Sequence, residues 1–188
     1  MLFRSGTNDY PYSSVATAVA NLSSSDNPEN TVYLLSNIKT EVIFSNNELV
    51  LTIEGNNHGS RMQFDGDGTH RCFKLDAGDV TVRNVVFTKG RINGSLGGGI
   101  LVQNPESKLT LDHCDIVNNV IENSMHMGGA GISIGYAAKV TMLNCIVSDN
   151  SLINPNGGAY GGGIQLITSG QNRSEEHTSE LQSPNTNS

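Results

Sequence analysis

The stretches DVTVRNVVFTKG (79–90), KLTLDHCDIVNN (108–119) and KVTMLNCIVSDN (139–150) align without a gap, at offsets of 29 and 31 residues. A period of this size marks a repeat architecture. Working outward, a second apolar alternation precedes each copy: Phe73-Lys74-Leu75, Ile100-Leu101-Val102 and Ile132-Ser133-Ile134, with Ile164-Gln165-Leu166 following the last. Ile100, Ile132 and Ile164 are 32 residues apart and follow GGG, GGAG and GGG. Leu51-Thr52-Ile53 lies 29 residues before Val80-Thr81-Val82 and forms a weaker early copy.

Each repeat therefore holds three very short segments of period-two alternation, joined by Gly, Asn, Asp and Ser, with no helical periodicity between them. Strands this short do not stand alone. Stacked coil on coil at about 4.8 Å, each backbone pairs with the next and like residues line the interior. The pattern predicts an all-β parallel β-helix of about four to five coils, right-handed by the family resemblance given below. Its inward ladders are Phe73, Ile100, Ile132, Ile164; Val80, Leu109, Val140; Val82, Leu111, Met142; Val85, Cys114, Cys145; and Phe87, Ile116, Val147. Thr81, Thr110 and Thr141 form an outward stack, as do Lys74, Leu101, Ser133 and Gln165. A β-sandwich is the competing all-β fold, but it needs neither a constant repeat length nor the same residue type at each register. Val15, Ala18, Val19 and Leu22 fall at helical spacing after the candidate N-caps Ser13 and Ser14, which predicts a short helix closing the first coil. Segments 31–35 and 42–44 read as strands of that coil.

The chain of 188 residues has no apolar run long enough to span a bilayer, and its net charge of −7 argues against a nucleic-acid groove. Three Cys are too few for a disulfide scaffold. The GGGI signatures at 97–100 and 161–164 alternate with the apolar-x-x-Asn signatures IVNN (116–119) and VSDN (147–150). Over about 51–166 this resembles the repeats of polymorphic outer-membrane-protein-type surface proteins and other right-handed parallel β-helix proteins. It departs from them where FTKG (87–90) lacks the Asn and where GGAG inserts a residue before Ile132. The resemblance implies a pectin-lyase-like fold and a secreted or cell-surface location, with adhesins, autotransporter passengers and polysaccharide-active enzymes among its uses. Separately, RSEEHTSELQS (173–183) and MLFRS (1–5) resemble the translated strands of a sequencing adapter. That implies adapter-derived ends at 1–5 and 173–188, the latter disordered, and a β-helix fragment at 6–172, with the cap and first coil at 6–50 and the repeats at 51–172. A polar tail is the alternative for the C-terminal end. The last strand, 164–167, is then an unpaired apolar edge, expected to self-associate.

The residues point to no catalytic, cofactor-binding or metal-ligating group. LDHC (111–114) faintly resembles a pectate lyase motif, making Asp112, His113 and Asp115 the catalytic candidates against the reading of a solvated turn. No Trp precedes the motif and no Arg-Pro segment follows it. Register places Arg83 beside Asp112, and Asp79 beside Lys108 and Lys139, as exposed ion pairs. Asp65-Gly66-Asp67-Gly68 reads as a turn in preference to a Ca²⁺ loop. Cys114 and Cys145 read as stacked small hydrophobes, while Cys72 is expected to face outward. Asn21 and Asn93 begin glycosylation sequons. Loops at 89–96, 120–127 and 151–160 are the expected recognition surface. The function expected is adhesive or structural, toward an extracellular glycan or protein. The alternative is a polysaccharide lyase or glycoside hydrolase whose active coils lie outside this segment.

Overall fold

A computed structural model describes residues 2–4, 12–20, 30–123, 128–153, 161–168 and 171–173. It is a parallel β-solenoid of about four turns with one short helix near the N-terminus. Successive coils pair in register along four faces. On the first, Val42, Phe73, Ile100, Ile132 and Ile164 stand opposite one another in the strands Val42–Glu54, Phe73–Arg83, Ile100–Val102, Ile132–Ile134 and Ile164–Thr168. On the second, Leu51, Val80, Leu109 and Val140 align, as do Ile53, Val82, Leu111 and Met142, through Ser107–Asp112 and Lys139–Leu143. The third stacks Phe64, Phe87, Ile116 and Val147 in Ser60–Asp65, Val85–Thr88, Asp115–Val117 and Ile146–Ser148.

The fourth face corrects the expectation of loops. Arg91–Asn93, Val120–Glu122 and Ser151–Ile153 pair in parallel, with Ile92, Ile121 and Leu152 aligned. Only the flanks of these segments connect; residues 124–127 and 154–160 lie outside the described residues. A three-residue strand is too short to announce itself by alternation, and here it gains its partners only from the coil above and below.

Inside, the coils at the N-terminal end are wide enough for aromatic rings. Phe44, Phe64, Phe73 and Phe87 are buried and meet at centroid distances of 5.2 to 6.0 Å, in edge-on, tilted and stacked pairs. Aliphatic ladders take over beyond them. The predicted cap is the helix Val15–Ala20: Ser14 Oγ accepts the Thr17 N–H at 3.0 Å, and Val15 and Ala18 are buried against the first coil. Leu22 lies outside the described residues. Leu2–Arg4 adds an antiparallel strand beside Thr31–Leu34. At the other end the edge is not bare: Gln171–Arg173 turns back and pairs antiparallel with Ile164–Thr168, so the expected unpaired strand is covered along its C-terminal half.

Two corners of three successive coils hold a left-handed residue, and they recur in columns: Asn84, His113 and Asn144 at φ 53° to 55°, then Lys89, Asn118 and Asp149 at φ 54° to 58°. Asn and Asp tolerate this region better than other side chains. One residue after the second corner comes the Asn of the apolar-x-x-Asn signature. Asn119 is fully buried; its Oδ1 accepts from Gly90 N at 2.8 Å and its Nδ2 donates to Phe87 O at 3.1 Å. Asn150 repeats this one coil on, accepting from Asn119 N at 3.0 Å and donating to Ile116 O at 2.8 Å.

The amide heads account for the glycine signature. A Cβ on Gly99 would lie 2.7 Å from Asn119 Nδ2, and one on Gly131 would lie 2.8 Å from Asn150 Nδ2. Each Asn thus occupies the space that the glycine before Ile100 or Ile132 leaves empty. In the preceding coil the pair is exchanged: Gly90 stands where the Asn would be, and Cys72 stands in the glycine column. Cys72 is therefore buried, its Sγ donating to Thr88 O at 3.3 Å, contrary to the expected outward position. Strict alternation fails there because residue 72 belongs to the corner. The GGAG segment carries no insertion either: Gly129 shares positive φ with Gly97 and Gly161, and the buried Ala130 stands in Gly98's place.

Replacing Asn119 by Ala leaves the Gly90 N–H and the Phe87 carbonyl buried without their partner. We expect a loss of about 2–3 kcal/mol in urea unfolding for Asn119→Ala, and a smaller loss for the half-buried Asn150→Ala.

Candidate functional site

The catalytic candidates sit where the second face turns into the third. His113 occupies the left-handed corner column between Asn84 and Asn144, and its N–H donates to Leu143 O at 2.9 Å in the coil above. Its Nδ1 lies 2.7 Å from Asp112 Oδ1, and Asn144 Nδ2 donates to the same oxygen at 3.4 Å. Arg83 is opposite Asp112 in register, yet the contacts of Asp112 run to His113 and Asn144, because the left-handed corner turns the following side chain back toward it. Asp115, beyond the corner, is engaged by Arg61, whose Nη1 donates to Asp115 Oδ1 at 3.0 Å and to His113 O at 3.1 Å. The second guanidinium nitrogen pairs with Asp115 Oδ2. That hydrogen bond to Asp115 raises the Arg61 pKa above its ordinary value.

The structure thus brings Asp112, His113 and Asp115 to one exposed corner, and adds Arg61 from 52 to 54 residues earlier in the chain. An Asp–His contact can orient an imidazole for general-base work. Here it also closes a corner that recurs with Asn in the coils on either side, and Asp115 is held as one half of a bidentate ion pair. Arg61 had no local signal in the sequence, since its partners lie two coils away.

The other charged groups staple coils in the same fashion. Lys108 Nζ lies 3.5 Å from Asp79, as register predicted, and Arg91 pairs with Glu122 on the fourth face. Lys89 Nζ reaches the buried Asp65 at 3.0 Å. Burial works against the charge on Asp65, but the Asp67 N–H and Lys89 hold its carboxyl below the usual range. The Asp67 N–H to Asp65 Oδ1 bond, 2.9 Å, with positive φ at Asp67 and Gly68, makes 65–68 the turn expected from its sequence. Arg71, almost fully buried, binds Glu41 at 2.8 Å and donates to the Gly97 and Leu96 carbonyls at 2.7 and 2.8 Å, anchoring the glycine turn. Among the described residues no group of three or more His, Cys, Asp or Glu is placed to hold a metal ion.

One outward column is not outward in effect. Lys74, Leu101, Ser133 and Gln165 share register, but Leu101, Ser133 and Gln165 are buried. The glycine turns fold back over them: a Cβ on Gly97 would touch Leu101 Cβ at 3.0 Å, and Gly128 N donates to Gln165 Oε1 at 3.0 Å. Of the sequon residues Asn21 and Asn93, Asn93 is exposed in its strand, with Oδ1 accepting from Asn123 Nδ2 at 3.3 Å; Asn21 lies outside the described residues. The three cysteines are free thiols. Cys114 Sγ donates to Val82 O at 3.4 Å and Cys145 Sγ to Leu111 O at 3.5 Å, the equivalent carbonyls of successive coils.

A scan of family models, a search of the curated proteins and a search of the solved structures each return no match for this chain. Its functional reading therefore rests on its own geometry. No helix among the described residues is long and apolar enough to cross a membrane.

Burial pushes the Cys72 and Cys114 thiols up to about 12 from the ordinary 9.0. The folded state then keeps its thiol protons to a higher pH than the unfolded chain does. The stabilisation is complete below pH 9 and lost as pH rises toward 12. Urea midpoints should hold level up to about pH 8 and fall above 9, and a Cys72→Ala/Cys114→Ala double variant should show a shallower fall.

Proposed function

We propose that this chain is a segment of a secreted or cell-surface β-solenoid with an adhesive or structural role, binding an extracellular glycan or protein without chemical turnover. The observation that carries this reading is where the carboxylates go. Asp65, Asp79, Asp115 and Glu122 each face a Lys or Arg from an adjacent or next-but-one coil, and Asp112 faces His113. Glycan hydrolysis uses two carboxyl groups converging on one bond, whereas at the corner that holds both Asp112 and Asp115 the second is taken up by Arg61 from another coil and the first by His113 and Asn144, and the remaining pairs tie coils together. Between them runs a neutral column on the second face, where Thr31, Thr52, Thr81, Thr110 and Thr141 stand in register. A stiff stack with a regular outer surface suits display more than catalysis. The GGGI and apolar-x-x-Asn signatures, which resemble those of polymorphic outer-membrane-protein-type surface proteins, support the extracellular placement.

The competing reading, a pectin-lyase-like lyase or hydrolase, draws on the Asp112–His113 contact. Both are tested by presenting the chain to a glycan array, to whole cells and to a pectin and alginate panel. The adhesive reading expects retention on a surface or array with no product released. Cleavage of any of these polymers that disappears in His113→Ala, while the fold is retained, would replace it with the enzymatic reading. Because Asn stands in the same corner in the coils on either side, His113→Asn should keep stability within about 0.5 kcal/mol and leave binding unchanged.

A further inference from the structure

We propose that the second face binds a glycan ending in a sugar with a single carboxylate, and that Arg83 grips that group; this rests on the adhesive reading and names its ligand class. In the later coils the second face is the broadest. Ser107–Asp112 and Lys139–Leu143 hold six and five residues, against three each in Ile100–Val102, Asp115–Val117 and Val120–Glu122. Three outward columns therefore stand abreast, with Asp79, Thr81 and Arg83 in one coil and Lys108, Thr110 and Asp112 in the next. Neighbouring columns are about 6.6 Å apart and successive coils about 4.8 Å.

Arg83 is exposed, and its guanidinium makes no hydrogen bond or ion pair among the described residues. Coils lie on both sides of it, and its neighbours in the column are two carboxylates, Glu54 and Asp112. Neither pairs with it. Glu54 Oε1 accepts from Asn84 Nδ2 and from Asn56 N, both at 2.9 Å, and Asp112 turns to His113 and Asn144. Both carboxylates are drawn toward the corner, which leaves a rigid fork of five N–H donors facing water. Arg61, Arg71 and Arg91, by contrast, each meet a carboxylate. Such a fork matches a carboxylate, which it binds through two parallel N–H···O bonds.

The surroundings suit a sugar. The hydroxyls of Thr52, Thr81 and Thr110 run one column away, half-buried and without a hydrogen-bond partner among the described residues, and each can both donate and accept. Two coils below Arg83 in its own column stands Tyr33, 42% exposed, whose ring offers an apolar face to the next sugar of the chain. Charge narrows the class further. The chain carries −7, and Arg83 lies between two carboxylates, so a polyanion would be repelled along its length. A single carboxylate among neutral hydroxyls, as on a terminal sialic-acid-type sugar, is what one unpaired arginine can balance.

Titration of the full 188-residue chain with sialyllactose, lactose and polygalacturonate, followed by NMR, tests this. Saturable binding of sialyllactose is expected, with shifts at the Arg83 Nε–H and at Thr81. Lactose should bind at least about tenfold more weakly, and Arg83→Gln should lose a similar factor for sialyllactose with unchanged far-UV circular dichroism. Arg91→Gln, which removes an arginine already paired with Glu122, should leave the affinity intact. No binding of sialyllactose, equal affinity for lactose, tighter binding of polygalacturonate, or full affinity in Arg83→Gln would each overturn the proposal. The adhesive reading fails separately, if the glycan array and whole cells also retain nothing.

Discussion

The fold depends on holding every coil in one register with the next, and the buried Asn119 amide does most to enforce it. Aliphatic ladders alone are tolerant, because Val, Ile and Leu can exchange neighbours along a stack with little change in buried area. A buried amide is not tolerant. Asn119 must find Gly90 N, Phe87 O and Asn150 Oδ1 at once, and a slip of one residue would leave several polar groups unpaired in an apolar interior. The same amide requires glycine at position 99, so the two sequence signatures are the two halves of one contact. Where the Asn is absent, at Gly90, the Cys72 thiol takes up the space from the other side.

Much of this is legible in the sequence, for a physical reason. Inward residues of a stack answer to their own two-residue alternation and to the same position one period away, so the repeat alone assigns Phe73, Val80, Val82 and Phe87 and their successors to the interior. The helix cap at Ser14 and the turn at 65–68 are legible because both are closed by bonds within three residues. What escapes lies at the corners. Alternation does not reach back past the start of a strand into the corner before it, which hides the burial of Cys72 just ahead of Phe73. A glycine turn that doubles back can cover an outward column, which hides the burial of Leu101, Ser133 and Gln165. Strands of three residues on the fourth face resemble loops until their neighbours are stacked on them. Arg61 reaches two coils, beyond any local pattern.

For the candidate site, the sequence names the right residues and cannot weigh them. Asp112, His113 and Asp115 do converge on one corner, but the corner column of Asn84, His113 and Asn144 gives His113 a conformational reason to be there. Arg61 gives Asp115 an electrostatic one. Much of the charge on this molecule is arranged coil to coil in single pairs, each worth about 0–1 kcal/mol at the surface, and in the last described coil Leu143, Ile146 and Ile153 take the columns of Asp112, Asp115 and Glu122.

Amide hydrogen exchange at Gly90, followed by NMR, tests the central account most directly, because this N–H donates to the Asn119 side chain instead of a strand carbonyl. The account predicts protection comparable to that of Val80 and Leu109 in the ladder core, with exchange governed by global unfolding. Exchange at Gly90 as fast as in the exposed turn at residues 58–59 would contradict it, and would mean that the coils are held by their apolar ladders alone.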